Sequence, residues 1–184
     1  MTPRIETLRC VLRMATGDDA ERALAYWRSN GHRYSPAIPK HLLENAQVWV
    51  ARAEAVQQAF AAGTAVQLYV FERDERTIIG TVSFSDIKRQ WWHRCSLGYG
   101  VAGTHEGRGV MFEAVQAAIA FMFDTLNIRR IEAGYHVENS RSGALLDRLG
   151  FVREGLSRQH IRIDGVFQDH VRTSLLNPAW RPVD

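Results

Sequence analysis

The sequence predicts a mixed α/β fold, a central sheet of seven strands with helices on both faces. Three observations lead there. Segments with strand character alternate with segments of helical period along the chain. Three strands follow one another before the strongest helix, which a purely alternating fold would not give. No internal repeat, low-complexity tract or Pro/Gly/Ser-rich linker divides the 184 residues, so one domain spanning 1–184 is expected.

The elements follow in order. Leu8 to Met14 is a short apolar run bounded by charge and is expected to be a strand. Gly17-Asp18-Asp19 offers cap residues for a helix running to about Arg28. Asn30 to Pro39 carries a glycine and two prolines and is expected to be a loop, and a longer helix is expected from Lys40 to about Ala62, stopped by Gly63. The period then changes. Gln67–Arg73 and Thr77–Ser85 are aromatic and β-branched and form a hairpin across Asp74-Glu75-Arg76. Trp91 to His93 mark a bend before a strand from Cys95 to Val101. Phe112, Val115, Ile119, Met122 and Leu126 recur at helical spacing, which predicts a helix over Gly107–Leu126. A strand at Arg130–His136 and a helix at Ser140–Leu149, ended by Gly150, follow. Two last strands, Phe151–Asp164 and Gly165–Leu175, meet at Asp164-Gly165, a strong hairpin signal.

Composition narrows the classes. Hydrophobic residues are 46% and charged residues 23%, ordinary for a globular chain. A net charge of +3 is not the footprint of a dedicated nucleic-acid binder, and no direct nucleic-acid contact is expected. Cys10 and Cys95 sit apart in apolar surroundings and are expected to be buried free thiols rather than nucleophiles. No signal peptide and no span of ~20 apolar residues is present, which points to the cytoplasm and away from a membrane. The seven histidines lack ligand spacing, so no metal is expected.

The stretch that carries chemistry is Leu97–Glu113, LGYGVAGTHEGRGVMFE. A strand runs into a Gly-rich turn that opens the best helix. Glycines permit positive φ and close approach of a ligand to the backbone. Unpaired N–H groups at the helix start, with the positive end of its dipole, favour an anion, and a pyrophosphate is the natural occupant. Arg108 adds a charge. The turn is not a Walker motif, and it lacks the Gly-x-Gly-x-x-Gly run of a dinucleotide fold.

Glu106-Gly107-Arg108-Gly109-Val110-Met111 resembles the acetyl-CoA signature of GNAT acetyltransferases, Gln/Arg-x-x-Gly-x-Gly/Ala. Asn139-Ser140-Arg141-Ser142, then Leu145 and Gly150-Phe151, resembles the next motif of that superfamily. LGYGV, GRGVMFEAV, HVENSRSGALLDRLGF and IDGVFQDHV narrow the resemblance to the RimJ type, the ribosomal-protein-alanine N-acetyltransferases, from Leu8 to about Trp180. The resemblance implies the GNAT fold with a mostly antiparallel seven-stranded sheet, acetyl-CoA as co-substrate, and transfer by direct attack of an amine. It implies a ribosomal-protein N-terminus as acceptor and a monomer or homodimer. The implied coenzyme contacts are Tyr99, Gly100, Val101, Glu106, Gly107, Arg108, Gly109, Val110, Met111, Asn139 and Ser142. Glu106 departs from the signature, and a carboxylate beside a pyrophosphate is expected to point away or be paired. The superfamily's tyrosine falls at Leu146, which cannot donate, so Ser142 is assigned as the hydrogen-bond donor to the departing thiolate. Asp86, at the end of the Thr77–Ser85 strand, is the first candidate for a carboxylate that relays a proton through water; Glu132 and His136, on one face of their strand, are weaker ones. Trp91, Trp92, Tyr34 and Pro36 are candidates for an acceptor channel. Acetylation of another amine (an antibiotic, a polyamine or an amino acid) and a non-catalytic acetyl-CoA sensor are the alternatives.

Overall fold

A computed structural model describes residues 2–33, 40–163 and 165–182, with the side chains of Lys40 and His41 excepted. Tyr34, Pro36 and Asp164 lie outside the described residues. The strands are β1 (Arg4–Glu6), β2 (Cys10–Arg13), β3 (Val66–Glu72), β4 (Ile78–Lys88), β5 (Arg94–Val101), β6 (Arg130–His136), β7 (Val152–Ile163) and β8 (Val166–Leu176). The α-helices are α1 (Ala20–Asn30), α2 (Gln47–Ala61), α3 (Val110–Ala120) and α4 (Ser140–Arg148). The strands form one sheet in the order β1-β2-β3-β4-β5-β6-β8-β7. Every neighbouring pair is antiparallel except β5 and β6, which are parallel, and the long connection that a parallel pair requires is carried by α3.

The eighth strand, β1, went unread because Arg4–Glu6 is three residues long with charges at both ends and no apolar run. The second long helix starts later than expected. A 3-10 turn covers Lys40–Leu43, and Asn45 Oδ1 then accepts the Gln47 N–H at 2.8 Å, which fixes a fresh helix start. The helix expected from Gly107 begins at Val110, because Gly107 and Gly109 have φ of 71° and 73°, outside the right-handed helical region. Its far end, Phe121–Thr125, widens into a π-turn.

Alternation along the strands sorts the side chains into two layers. Leu12, Leu68, Val70, Val82, Phe84, Cys95, Leu97 and Ile131 point to one face, where α3 supplies Met111, Ala114, Val115, Ala118 and Met122 and α4 supplies Leu146. On the other face Tyr69, Phe71 and Ile78 are covered by Leu24 and Tyr26 of α1 and by Trp49 and Ala53 of α2. Under this cover lies an ion network. Asp19 is 1% exposed, and both its oxygens accept from Arg13, at 2.6 and 2.9 Å. Arg13 reaches on to Glu75, which also pairs with Arg4. Burial pushes the Asp19 carboxyl up, but the Arg13 hydrogen bonds, the Thr16 N–H and the Arg13 and Arg22 charges hold it below the usual carboxylate range. Beyond β4 this face is polar: Ser83, Ser85, Ser96, Glu132, His136, His170 and Arg172 stand along it. Among the described residues no helix is long and apolar enough to cross a membrane.

Candidate active site

The β5–β6 ladder pairs Arg94–Leu97 with Arg130–Ala133 and then stops, although both strands continue. β6 goes on to His136 paired only with β8, and β5 goes on to Val101 paired with β4. The two strands therefore part after Leu97 and Ala133. After β6, three residues intervene before α4 begins at Ser140. The parting opens into a groove of about 820 Å³ lined by Tyr99, Gly100 and Val101 from β5, by the turn before α3, by the start of α3, and by α4.

The turn is held from several sides. Ala102 N–H donates to Ile79 O at 2.8 Å, and Gly103 N–H donates to Oδ1 of the buried Asn30 at 3.1 Å. Gly109 caps α3 in the left-handed conformation, and the N–H groups of the first helical turn have no acceptor within the helix. Arg9, distant in sequence, donates to the carbonyl oxygens of Arg108 and, at 3.1 Å, Gly109. Glu113 holds Arg9 in turn, accepting from its Nε at 2.6 Å and its backbone N–H at 2.8 Å. Burial pushes the Glu113 carboxyl up, but hydrogen bonds from Thr7 and Arg9 bring it below its ordinary value. The carbonyls of the turn are thus tied on the outside.

The rim of the groove is cationic. Arg33, Arg141 and Arg148 line it, with His105 beside them. Glu106, the one carboxylate of the turn, is paired with Arg33 and, at 2.8 Å, with Arg141. Three guanidinium groups against one carboxylate leave an excess of positive charge for a polyanion. Arg148 also stacks over Phe112, 3.8 Å from the ring centre, so Phe112 faces the groove instead of the core.

At the inner end Ser142 Oγ lies 2.7 Å from the Tyr99 hydroxyl. Ser142 N–H is capped by Asn139 Oδ1 at 3.1 Å, so Asn139 sets the start of α4 and with it the serine. Burial pushes the Tyr99 phenol up, and the Ser142 hydrogen bond offsets part of that, so the phenol keeps its proton at neutral pH.

Of the implied coenzyme contacts, Tyr99, Gly100, Val101, Glu106, Gly107, Gly109, Met111, Asn139 and Ser142 line the groove. The Arg108 side chain does not, and it is exposed; Val110 is buried in the core below the helix start. Asp86 is exposed on a bulge of β4 at φ 51° and is not among the lining residues. Glu132 accepts from Arg94 and Arg130 at 2.7 and 2.8 Å on the polar face. His136 stands on the same face beside His170. Trp91 and Trp92 are exposed at the β4–β5 bend, away from the groove residues. Leu146 is fully buried, and its neighbour Leu145 faces the groove. Cys95 is fully buried, and desolvation pushes its thiol up to about 12, which removes it as a nucleophile. Sequence reasoning missed Arg9, Arg33 and Arg148. Their only signal is a surplus of arginine over lysine.

Parted parallel strands with a glycine turn and an anion-binding helix mouth between them define an acyl-coenzyme-dependent transferase, and the comparisons agree. Residues 9–152 match the acetyltransferase (GNAT) domain family, and the chain belongs to that family. It is 39% identical to the [ribosomal protein uS5]-alanine N-acetyltransferase of Escherichia coli K12 over 97% of this chain and 93% of that one. The crystal structure of a ribosomal-protein-S5-alanine acetyltransferase from Vibrio fischeri superposes with a TM-score of 0.92 at 31% identity, over 98% of this chain and all of that one. A spermidine N(1)-acetyltransferase of Vibrio cholerae is 29% identical over 61% of this chain and 64% of its own. The sheet matches the expected fold class, with one more strand.

Proposed function

We propose that the protein transfers the acetyl group of acetyl-CoA to the α-amino group of an N-terminal alanine on a ribosomal protein. The observation that carries the acceptor is the likeness to the Escherichia coli enzyme over 97% of the chain. That span takes in the connections outside the groove as well as the motifs around it.

In this reading the diphosphate lies at the mouth of α3. There it meets the backbone N–H groups of the Gly107–Met111 segment and the Arg33, Arg141 and Arg148 charges. Arg108 and Val110 contribute through their backbone. The pantetheine runs along Tyr99, Gly100 and Val101 with Asn139 opposite, and Met111, Phe112 and Leu145 form apolar walls. Ser142, backed by the Tyr99 hydroxyl, donates a hydrogen bond to the departing thiolate. The chain supplies positioning and electrostatics rather than a covalent intermediate. An α-amine, with a pKa of ~8, is roughly one-tenth neutral at pH 7, so an acceptor of this kind needs only a modest base.

The test is a thiol-release assay with acetyl-CoA against alanine-, serine- and lysine-bearing peptides and spermidine. It is paired with mass spectrometry of ribosomal proteins from a strain lacking the protein. The reading expects preference for an alanine N-terminus and one ribosomal protein that loses its acetyl group. An unchanged set of N-terminal acetyl groups would remove the ribosomal acceptor.

A further inference from the structure

Three histidines meet on the polar face of the sheet just beyond the point where β5 and β6 part. His136 on β6 is paired in register with His170 on β8, and their rings lie 5.9 Å apart. A bulge in β7 between Ser157 and Ile161 folds a third, His160, onto His170, also at 5.9 Å. The bulge is pinned by Gln159, which at φ 47° donates its N–H to Asp169 Oδ1 at 2.7 Å. Gly134, two residues before His136, is the first residue of β6 past the parallel ladder, and it is exposed on this face.

Hydrogen bonding fixes the proton on each ring. His136 Nδ1 accepts from the Glu138 N–H at 3.3 Å, so its proton is on Nε2, which donates to Gln168 Oε1 at 3.2 Å. Both nitrogens of His136 are engaged. His160 Nε2 accepts from Arg172 at 3.0 Å, which commits its lone pair. Burial, then the Arg172 charge and that of His170 whenever it is protonated, hold His160 below its ordinary value. His170 Nδ1 lies 3.1 Å from the Gln168 carbonyl, which can only accept, so Nδ1 carries the proton and Nε2 carries a lone pair. No described residue engages that lone pair. His170 is 5% exposed, yet among the described residues Nε2 is not one of the buried side-chain atoms without a partner, which are His93 Nδ1 and Trp180 Nε1. The sliver of His170 that meets solvent therefore includes Nε2.

We infer that His170 Nε2 takes the proton of the incoming ammonium group, so that the acceptor reaches the thioester from the polar face beside Gly134. The inference rests on the chain transferring acetyl to an amine. The proton ledger closes. R–NH3+ gives one proton to Nε2, and the nitrogen then attacks the thioester carbonyl carbon. The C–S bond breaks with its electron pair going to sulfur, and a second proton from the nitrogen neutralises the thiolate on the Tyr99–Ser142 side. His170 returns its proton to water. The charged and titratable groups facing His170 are His136 on β6, His160 on β7 and Arg172 on β8; Arg172 is spent on His160 and Glu132.

The test is the pH profile of kcat/KM for the best amine acceptor, in wild type and in His170→Gln, with calorimetric CoA affinity as the check on folding. With His170 as acceptor, the wild-type profile shows an inflection on its acid side that belongs to the enzyme and a fall above the amine's own pKa near ~8. His170→Gln lowers kcat/KM about a hundredfold, keeps CoA affinity within about twofold, and leaves a profile that climbs steadily to the amine pKa. A wild-type profile without the enzyme inflection overturns the inference whatever the variants do. So does the same loss appearing in Asp86→Asn or His160→Gln while His170→Gln is unaffected. A wild type that binds CoA but acetylates no amine overturns the transfer reading itself, a different result from either.

Discussion

The two halves of the sheet hold similar charges and use them in opposite ways. Over β2–β4, helices cover both faces, and Asp19 and Arg13 are locked together beneath them, with Glu75 holding Arg13 from the β3–β4 turn. Over β5–β8, helices cover one face only, and Arg94, Arg130, Glu132, His136, His160 and Arg172 of the other face are at least partly exposed, with His170 buried among them. A carboxylate surrounded by guanidinium groups is found in both halves, Asp19 in the first and Glu132 in the second. What separates scaffold from site is the cover, because a buried ion pair without its partner is costly while a solvated one is not.

The comparison is broken or sharpened by variants on each side. The largest effect is expected for Asp19→Asn, which leaves Arg13 without its main partner and costs roughly 3–5 kcal/mol, read from urea unfolding. The sign of its pH dependence follows from the lowered Asp19 pKa. The Asp19 contribution is fully present above the unfolded carboxylate value near ~3.9 and is lost as pH falls through the lower folded value. The variant should lack that part of the acid decline. At a temperature where it is folded, its CoA affinity should match wild type, and a shared loss of affinity would mean that the halves are not separable.

On the other side, Ser142→Ala or Tyr99→Phe should lower kcat roughly a hundredfold with little change in CoA affinity. The two together should cost less than the product, since each hydroxyl holds the other. Arg9→Ala releases the carbonyls of the turn and should weaken CoA binding about tenfold, read by calorimetry, with a smaller change in kcat. The smallest effect is expected at Cys95 and Cys10. Burial raises both thiols, and neither should be alkylated at pH 8 until the protein unfolds.

The sequence discloses the second half of the chain better than the first. Glycines at 107, 109, 150 and 165 all take positive φ, so the turn, the end of α4 and the last hairpin could be read from residue type alone. Seven strands followed from apolar period. β1 did not, because its residues are held by pairing with β2 and not by their own pattern. The groove was legible where consecutive residues build it, from Tyr99 to Met111 and at Asn139 and Ser142. Arg9, Arg33 and Arg148 reach it from other parts of the chain, through contacts that no local spacing encodes. Asp86 was nominated for its place at the end of a strand, and the bulge there takes it out of the groove lining. His170 could not be singled out before pairing placed it against His136.

Gly98 and Gly134 flank the parting strands on the polar face, each the first residue after the shared ladder ends. A methyl group on Gly98 would sit 3.1 Å from Ser83 Oγ, and one on Gly134 would sit 3.5 Å from Arg172. The edges of the two parting strands are therefore bare backbone on this face, and a side chain at position 98 would have to push Ser83 aside.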